Sequence, residues 1–225
     1  MHFIFRAVVW GMLTTTSILP LTITSPAPSL TFVYVGNAES NEIYVLQLNR
    51  QSGELTMVEK AAIPGITKPG LSTPIAISPN RHFLYVGTRG EPQIVASYAI
   101  DPQSGKLTYL GNSPLADSMA YISTDRTGRF LFSASFPGHK LTVSPINAQG
   151  IVQPTQQVLT NYPNAHSILP DKSNRYVLAA TLGNDLVNLF KFDATNGKLE
   201  PNSPPSVYIK EKVGPRHFVF HPKGN

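Results

Sequence analysis

The apolar and polar positions of this chain alternate in short runs and do not recur every three or four residues. Pro74 to Leu107 shows the pattern most fully: P-I-A-I-S-P-N-R-H-F-L-Y-V-G-T, then I-V-A-S-Y-A-I-D-P-Q-S-G-K-L. An apolar run is followed by a turn, a β-branched and aromatic run, a spacer, a second alternating run and a Gly turn. Period-two alternation bounded by Gly, Pro, Asn and Asp marks half-buried strands joined by turns. The stretch therefore predicts a β-meander.

Its ingredients return along the chain. R-Q-S-G-E-L-T at Arg50 is echoed by D-P-Q-S-G-K-L-T at Asp101, N-A-Q-G-I-V at Asn147 and D-A-T-N-G-K-L-E at Asp193. The glycines Gly53, Gly105, Gly150 and Gly197 are spaced by 52, 45 and 47 residues. A second phrase keeps the same beat: I-S-P-N-R-H-F-L-Y-V-G from Ile77, I-S-T-D-R-T-G-R-F-L-F-S from Ile122, I-L-P-D-K-S-N-R-Y-V-L-A from Ile168 and F-H-P-K-G-N from Phe220.

Four short strands per unit, at this period and without helical periodicity between them, predict an all-β protein of the β-propeller type. Full blades are expected from Pro74 to about Asn112, from Met119 to Val158 and from Ala165 to Ile209. A three-stranded blade from Phe32 to Lys60 precedes them, and Arg216 is expected to open a further innermost strand. A solenoid of meanders is the structural alternative. WD-type repeats are disfavoured, because Trp10 is the sole Trp and lies before the repeats.

About four blades are thus expected. A seven-bladed ring needs roughly 340 residues at typical repeat lengths, so the chain is expected to be an N-terminal fragment whose ring is not closed. Two open sheet edges would follow. Closure by oligomerisation is the other possibility.

Composition agrees with strands and turns: 14% charged residues, with 16 Gly and 20 Pro among 225 residues. The net charge of +5 favours anionic partners, but the 18 basic residues are scattered without a run of five, which gives nucleic-acid binding no support. The absence of Cys excludes disulfides, thiolate metal sites and a Cys nucleophile.

Residues 1–29 differ from the rest. A short basic start from His2 to Arg6, an apolar stretch from Ala7 to Leu21 and the small-x-small pattern Ala27-Pro28-Ser29 read as an export signal, giving a periplasmic or extracellular protein. An uncleaved N-terminal anchor is the alternative, and the only expected route to a membrane. A mis-called start would instead make the chain cytoplasmic. Residues 30–225 are expected to form the partial propeller.

Known catalytic motifs are missing. There is no G-x-S-x-G elbow and no Gly-rich phosphate loop, and no cofactor is implied. His217 and His221 have H-x-x-x-H spacing, but on the strand expected there they lie about 13 Å apart at roughly 3.3 Å per residue. They cannot share a metal ion, and no metal site is expected.

Propellers place function at the mouth of the central channel, reached from the starts of the innermost strands. His166, in N-Y-P-N-A-H-S-I-L-P-D, sits at such a start, as do Arg216 and His217 in V-G-P-R-H-F-V-F-H-P. An Arg in that crowded place must find an acceptor or face channel water. The matching positions Thr73-Pro74 and Ser118-Met119 have nothing ionisable beside them, so charge is expected to enter from two neighbouring blades only. His166 and Arg216 are the catalytic candidates, and Arg216 and His217 the substrate-binding ones. Strand alternation is expected to turn His217 to the opposite face from Arg216. His82, His139 and His221 fall in turns or outer strands and are given no role.

On I-S-P-N-R-H-F-L-Y-V-G-T-R at Ile77, I-S-T-D-R-T-G-R-F-L-F at Ile122, N-A-H-S-I-L-P-D at Asn164 and G-P-R-H-F-V-F-H-P at Gly214, the chain resembles the lactonase family of seven-bladed propellers. That family includes bacterial propeller-type 6-phosphogluconolactonases and fungal carboxy-cis,cis-muconate cyclases. The resemblance covers the chain from about Thr31 onward. It implies hydrolysis of a sugar lactone, with His166 matching the family's active-site His and Arg216 its first Arg. The family pattern also has a Glu shortly after the G-P-R-H strand and a second Arg one blade later, and neither occurs within this chain.

By that resemblance, Arg216 stabilises charge on the lactone carbonyl while a His or Glu handles the proton. The implied partner is a small, anionic lactone. A non-catalytic exported propeller that binds a ligand or protein, and a cycloisomerase acting on muconate-type lactones, are the alternatives.

Overall fold

The computed structural model describes residues 30–223, so the segment read as an export signal lies outside the described residues. Four antiparallel sheets follow one another. The first holds β1 (Thr31–Asn37), β2 (Glu42–Leu48) and β3 (Leu55–Ala62). The second holds β4 (Ile75–Ile77), β5 (Phe83–Gly87), β6 (Ile94–Ile100) and β7 (Leu107–Pro114). The third runs through β8 (Met119–Thr124), β9 (Phe130–Ser135), β10 (Lys140–Pro145) and β11 (Gln157–Thr160). The fourth is β12 (Ala165–Pro170), β13 (Tyr176–Thr181), β14 (Leu186–Asp193) and β15 (Lys198–Tyr208). In each sheet the strands pair in chain order, which makes four meanders of propeller-blade form, one of them three-stranded.

The cores lie between blades. Ile43 meets Leu84, Val86, Ala96 and Tyr98; Tyr85 and Val95 meet Met119, Ile122 and Leu131; Phe130, Phe132 and Val143 meet Ile168, Val177, Phe190 and Phe192. A strand in the middle of the stack therefore buries both its faces: Leu84 and Val86 point to the first blade and Tyr85 to the third. This is why β5 and β9 read as nearly continuous apolar runs while the outer strands alternate. Each fully buried side chain of this size contributes about 1.5–3 kcal/mol.

One contact is repeated at every blade junction. The turn glycines before the outermost strands all have positive φ: 71° at Gly105, 79° at Gly150 and 72° at Gly197. A Cβ on Gly105 would collide with the ring of Phe32, one on Gly150 with Phe83, and one on Gly197 with Phe130. Each glycine thus seats the aromatic ring of the preceding blade, and Tyr34 adds a hydrogen bond from its hydroxyl to the Gly105 carbonyl, 2.9 Å long. Glycine is required here twice over, for its backbone angle and for the absent side chain.

The turns after the innermost strands of the third and fourth blades are built on the carboxylates of Asp125 and Asp171, where the second blade uses Ser78 and Asn80. Asp125 is fully buried and accepts from the backbone N–H groups of Thr127, Arg129 and Phe130 at 2.8–3.0 Å, from the Thr127 hydroxyl and from Asn174 Nδ2 at 3.0 Å. Asn174 belongs to the next blade, so one turn braces its neighbour. Burial alone would raise the Asp125 pKa, but these donors outweigh it and hold the carboxyl below its ordinary range.

One expectation fails. Arg216 and the residues after it are not in a sheet, because no strand among the described residues lies beside them to complete a ladder.

Candidate functional site

Inner strands begin, and second strands end, at the same end of every antiparallel blade. The starts of β4, β8 and β12 therefore share one mouth with the connections that follow β5, β9 and β13. At β12 the ladder slips: Ala165 pairs with Thr181 and Ser167 with Ala180, leaving His166 as the extra residue of a β-bulge. The third blade has the same bulge, with Ala120 at the corresponding place between Met119 and Tyr121. A bulge redirects its side chain out of the regular alternation. In the fourth blade the redirected side chain is an imidazole.

His166 is buried, and its Nε2 accepts a hydrogen bond from Arg216 Nε at 2.9 Å. Because Nε2 is the acceptor, the proton of the neutral ring resides on Nδ1. That atom is sealed from solvent and has no hydrogen-bond partner of ordinary geometry among the described residues. The ring stands edge-on to His217, with centroids 4.8 Å apart, and to Phe136 at 5.9 Å. Burial first, then the charges of Arg216, His217 and Arg89, pushes the His166 pKa down to about 4. Its own backbone is the one group favouring the cation, and it is outweighed. At neutral pH His166 is therefore an uncharged base lodged against a guanidinium.

His217 does not turn away. Alternation holds only where a strand is paired, and Arg216–His217 is unpaired, so His217 packs on His166 and, at 6.1 Å between centroids, on Tyr121 of the third blade. All three candidates from the sequence are thus gathered at one place.

A single connection holds both halves of the pair. The 3-10 turn Leu182–Asn184 sits on the loop before His166, with Leu182 N–H bonded to the Asn164 carbonyl and Gly183 N–H to that of Pro163. Asp185 follows in the left-handed conformation, φ 58°. Its carboxylate accepts the backbone N–H groups of Lys212, Val213 and Gly214 at 2.8–3.0 Å, which lowers its pKa and fixes the segment leading to Arg216. His139, given no role from the sequence, takes the Asn164 N–H on its Nδ1 at 2.8 Å. It thereby helps to hold the loop that presents His166.

The expectation that charge enters from two blades only is also corrected. Arg89, on the connection after β5, donates from Nε to Ser118 Oγ at 3.2 Å, and its charge acts on His166. Asp117, next to Ser118, pairs with Lys140 at 2.5 Å, both half-buried. The candidates legible in the sequence all lie at the starts of inner strands, whereas Arg89 lies just past the end of a second strand. In antiparallel blades these lie at the same rim.

The family model for the seven-bladed β-propeller lactonases matches residues 32–225. This chain belongs to the lactonase family. Within that family it is 40% identical over 190 residues to the 6-phosphogluconolactonases of Yersinia pestis and Yersinia pseudotuberculosis, an alignment covering 84% of this chain and 54% of theirs. The chain thus spans about half the length of the curated lactonase relatives it matches.

Solved structures agree in fold. The periplasmic gluconolactonase of Pseudomonas aeruginosa is 24% identical, with a TM-score of 0.72, and the match covers 87% of this chain and 58% of that one. A candidate 6-phosphogluconolactonase from Bacteroides fragilis is 22% identical, with a TM-score of 0.77, covering 89% and 61%.

Proposed function

We propose that His166 and Arg216 form the core of a lactone-hydrolysing site acting on a sugar lactone, as in the 6-phosphogluconolactonases to which the chain is similar. The observation that carries this reading is the 2.9 Å bond between a buried, neutral imidazole and an arginine from the following segment. Ester-type hydrolysis needs a base for water and a positive group for the developing oxyanion. These two residues supply one of each.

In the proposed reaction the carbonyl oxygen of the lactone draws the Arg216 guanidinium toward itself, which releases the lone pair of His166 Nε2. Nε2 then takes a proton from water as the water oxygen bonds to the carbonyl carbon. Collapse of the tetrahedral adduct breaks the ring C–O bond. The imidazolium returns its proton to the departing alkoxide, and the product is the open hydroxy acid, ionised at neutral pH. Binding a negatively charged oxygen beside His166 offsets the cations that depress its pKa and moves it toward the range useful to a general base.

The test is hydrolysis of glucono-1,5-lactone and its 6-phosphate, above the spontaneous rate, by the expressed chain and its variants. His166→Ala is expected to lower kcat by roughly 10²–10⁴ and Arg216→Ala by roughly 10²–10³. Unchanged rates in both variants would overturn the assignment. The export reading of residues 1–29 is a separate proposal, tested by whether the expressed chain reaches the periplasm and is shortened there.

A further inference from the structure

Arg89 is a charged group that the reading above does not use, and the structure gives it a fixed place at the mouth. Its connection is pinned on both sides. Thr88 Oγ1 accepts the Ile94 N–H at 3.1 Å, and the backbone of Glu91 exchanges hydrogen bonds with that of Lys68 at 2.9 and 3.1 Å. Gly90 lies so close to the Lys68 carbonyl that a Cβ there would collide with it. From this rigid base the half-buried Arg89 side chain reaches Ser118 of the next blade linker, to which it donates from Nε.

The nearby carboxylates are already engaged: Glu91 with Lys68 at 3.2 Å and Asp117 with Lys140 at 2.5 Å. Among the described residues neither Nη group of Arg89 has a hydrogen-bond or ion-pair partner, and the same is true of Arg216. Each guanidinium is anchored through Nε and presents its two Nη groups unoccupied. Such a fork matches a carboxylate or phosphate with two parallel hydrogen bonds.

We infer that Arg89, anchored on Ser118, is a specificity-determining residue that binds an anionic substituent of the lactone, a carboxylate or phosphate remote from the carbonyl held by Arg216. The inference rests on the lactonase reading. It gives the two arginines separate tasks: Arg216 acts at the reacting carbonyl, and Arg89 at the far end of the substrate. Loss of Arg89 therefore weakens binding of charged substrates more than that of a neutral one, whereas its electrostatic effect on His166 falls on every substrate alike.

The decisive experiment compares the wild-type chain with Arg89→Gln and Arg89→Lys on three lactones: glucono-1,5-lactone, its 6-phosphate and a glucarolactone carrying a free carboxylate. Arg89→Gln is expected to raise KM roughly tenfold or more for at least one charged lactone, and to raise it by a clearly smaller factor for the neutral one, while any change in kcat that follows from the loss of its charge near His166 is shared by all three. Arg89→Lys should recover part of the loss. An effect on the phosphate alone, or on the carboxylate alone, identifies which anion the fork serves. Equal effects on neutral and charged lactones, or none on either charged one, would overturn the inference.

A second readout does not need turnover. The His166 ring signal is titrated by NMR with 6-phosphogluconate and with glucarate, using gluconate as the reference. Beyond the gluconate effect, at least one of the two is expected to raise the His166 pKa in the wild type and to lose that increment in Arg89→Gln. No increment in the wild type, or an undiminished one in the variant, counts against Arg89. A chain that hydrolyses no lactone but shows the Arg89-dependent shift would defeat the catalytic reading and leave the anion site standing. Unchanged thermal melting of Arg89→Gln excludes misfolding as the cause.

Discussion

Arg216 donates to His166 across 50 residues of sequence, and the accepting imidazole is buried whereas the donating side chain is exposed. The exposed partner can be drawn off by an incoming carbonyl without unpacking the core. The buried one has its orientation set by Phe136 and His217. Mobility and rigidity are divided between the two.

The same bond has a signature in acid. An unfolded histidine titrates near 6.5, while His166 in the fold titrates at about 4. Its folded pKa is depressed, so between these values the unfolded chain binds more protons and stability rises with pH. As pH falls from about 6.5 toward 4, this contribution is lost. Urea unfolding at pH steps from 7 to 4.5 should show the decline, and His166→Gln should flatten it. A variant profile parallel to the wild type would contradict the burial and charge argument. Asp117, Asp125 and Asp171 have depressed pKa values, so their losses come at lower pH and do not obscure the window.

Asp185→Gly tests the brace. Glycine keeps the left-handed backbone and removes the carboxylate that holds Lys212, Val213 and Gly214. The segment carrying Arg216 should loosen, the His166 pKa should rise toward 6.5, and lactone hydrolysis should fall roughly tenfold or more, as displaced catalytic groups do. NMR titration of His166 separates this positioning role from a general loss of stability, which would not shift a histidine that remains folded.

Some of this was legible in the chain and some was not. The four blades begin and end within a few residues of the ranges read from the repeats, because each is built from local hairpins whose turns carry their own signals. His166 and Arg216 were found by laying one repeat on another. The bulge at His166 was not, since an extra residue in a ladder is defined by its partner strand, here Ala180 and Thr181. Arg89 was missed because its place at the mouth comes from the end of a second strand. Asp185 carries no signal of its own in the sequence, since its role comes from the Lys212–Gly214 loop that closes on it.

The glycines give a graded prediction. Gly197→Ala meets both a φ of 72° and the ring of Phe130, whereas Gly53→Ala meets only a φ of 78°, with nothing within 4 Å of the new methyl. The backbone term is about 1–2 kcal/mol in each, and the collision adds roughly 1–3 kcal/mol at Gly197 alone. Denaturant midpoints should therefore fall further for Gly197→Ala. Equal losses would mean that Phe130 moves aside at no cost.

Asp125→Asn replaces an acceptor-only carboxylate with a group that must point two donors into a cluster of donors. With five donors converging on a fully buried site, the expected loss is about 2–4 kcal/mol. Because Asn174 bridges to it from the fourth blade, the loss should extend beyond one turn. Amide exchange in β12 and β13 should quicken along with that in β9, and protection lost in β9 alone would show that the bridge carries no coupling.

Phe32 with Gly105, Phe83 with Gly150 and Phe130 with Gly197 form the same joint three times over. The second and third blades each carry a ring on one flank and a glycine on the other, so at these joints one can take the place of the other. Excising one whole repeat would leave Phe32 facing Gly150, a junction of the kind already present. The joints themselves therefore place no limit on the gain or loss of a blade by recombination, which leaves that limit to the apolar cores between blades.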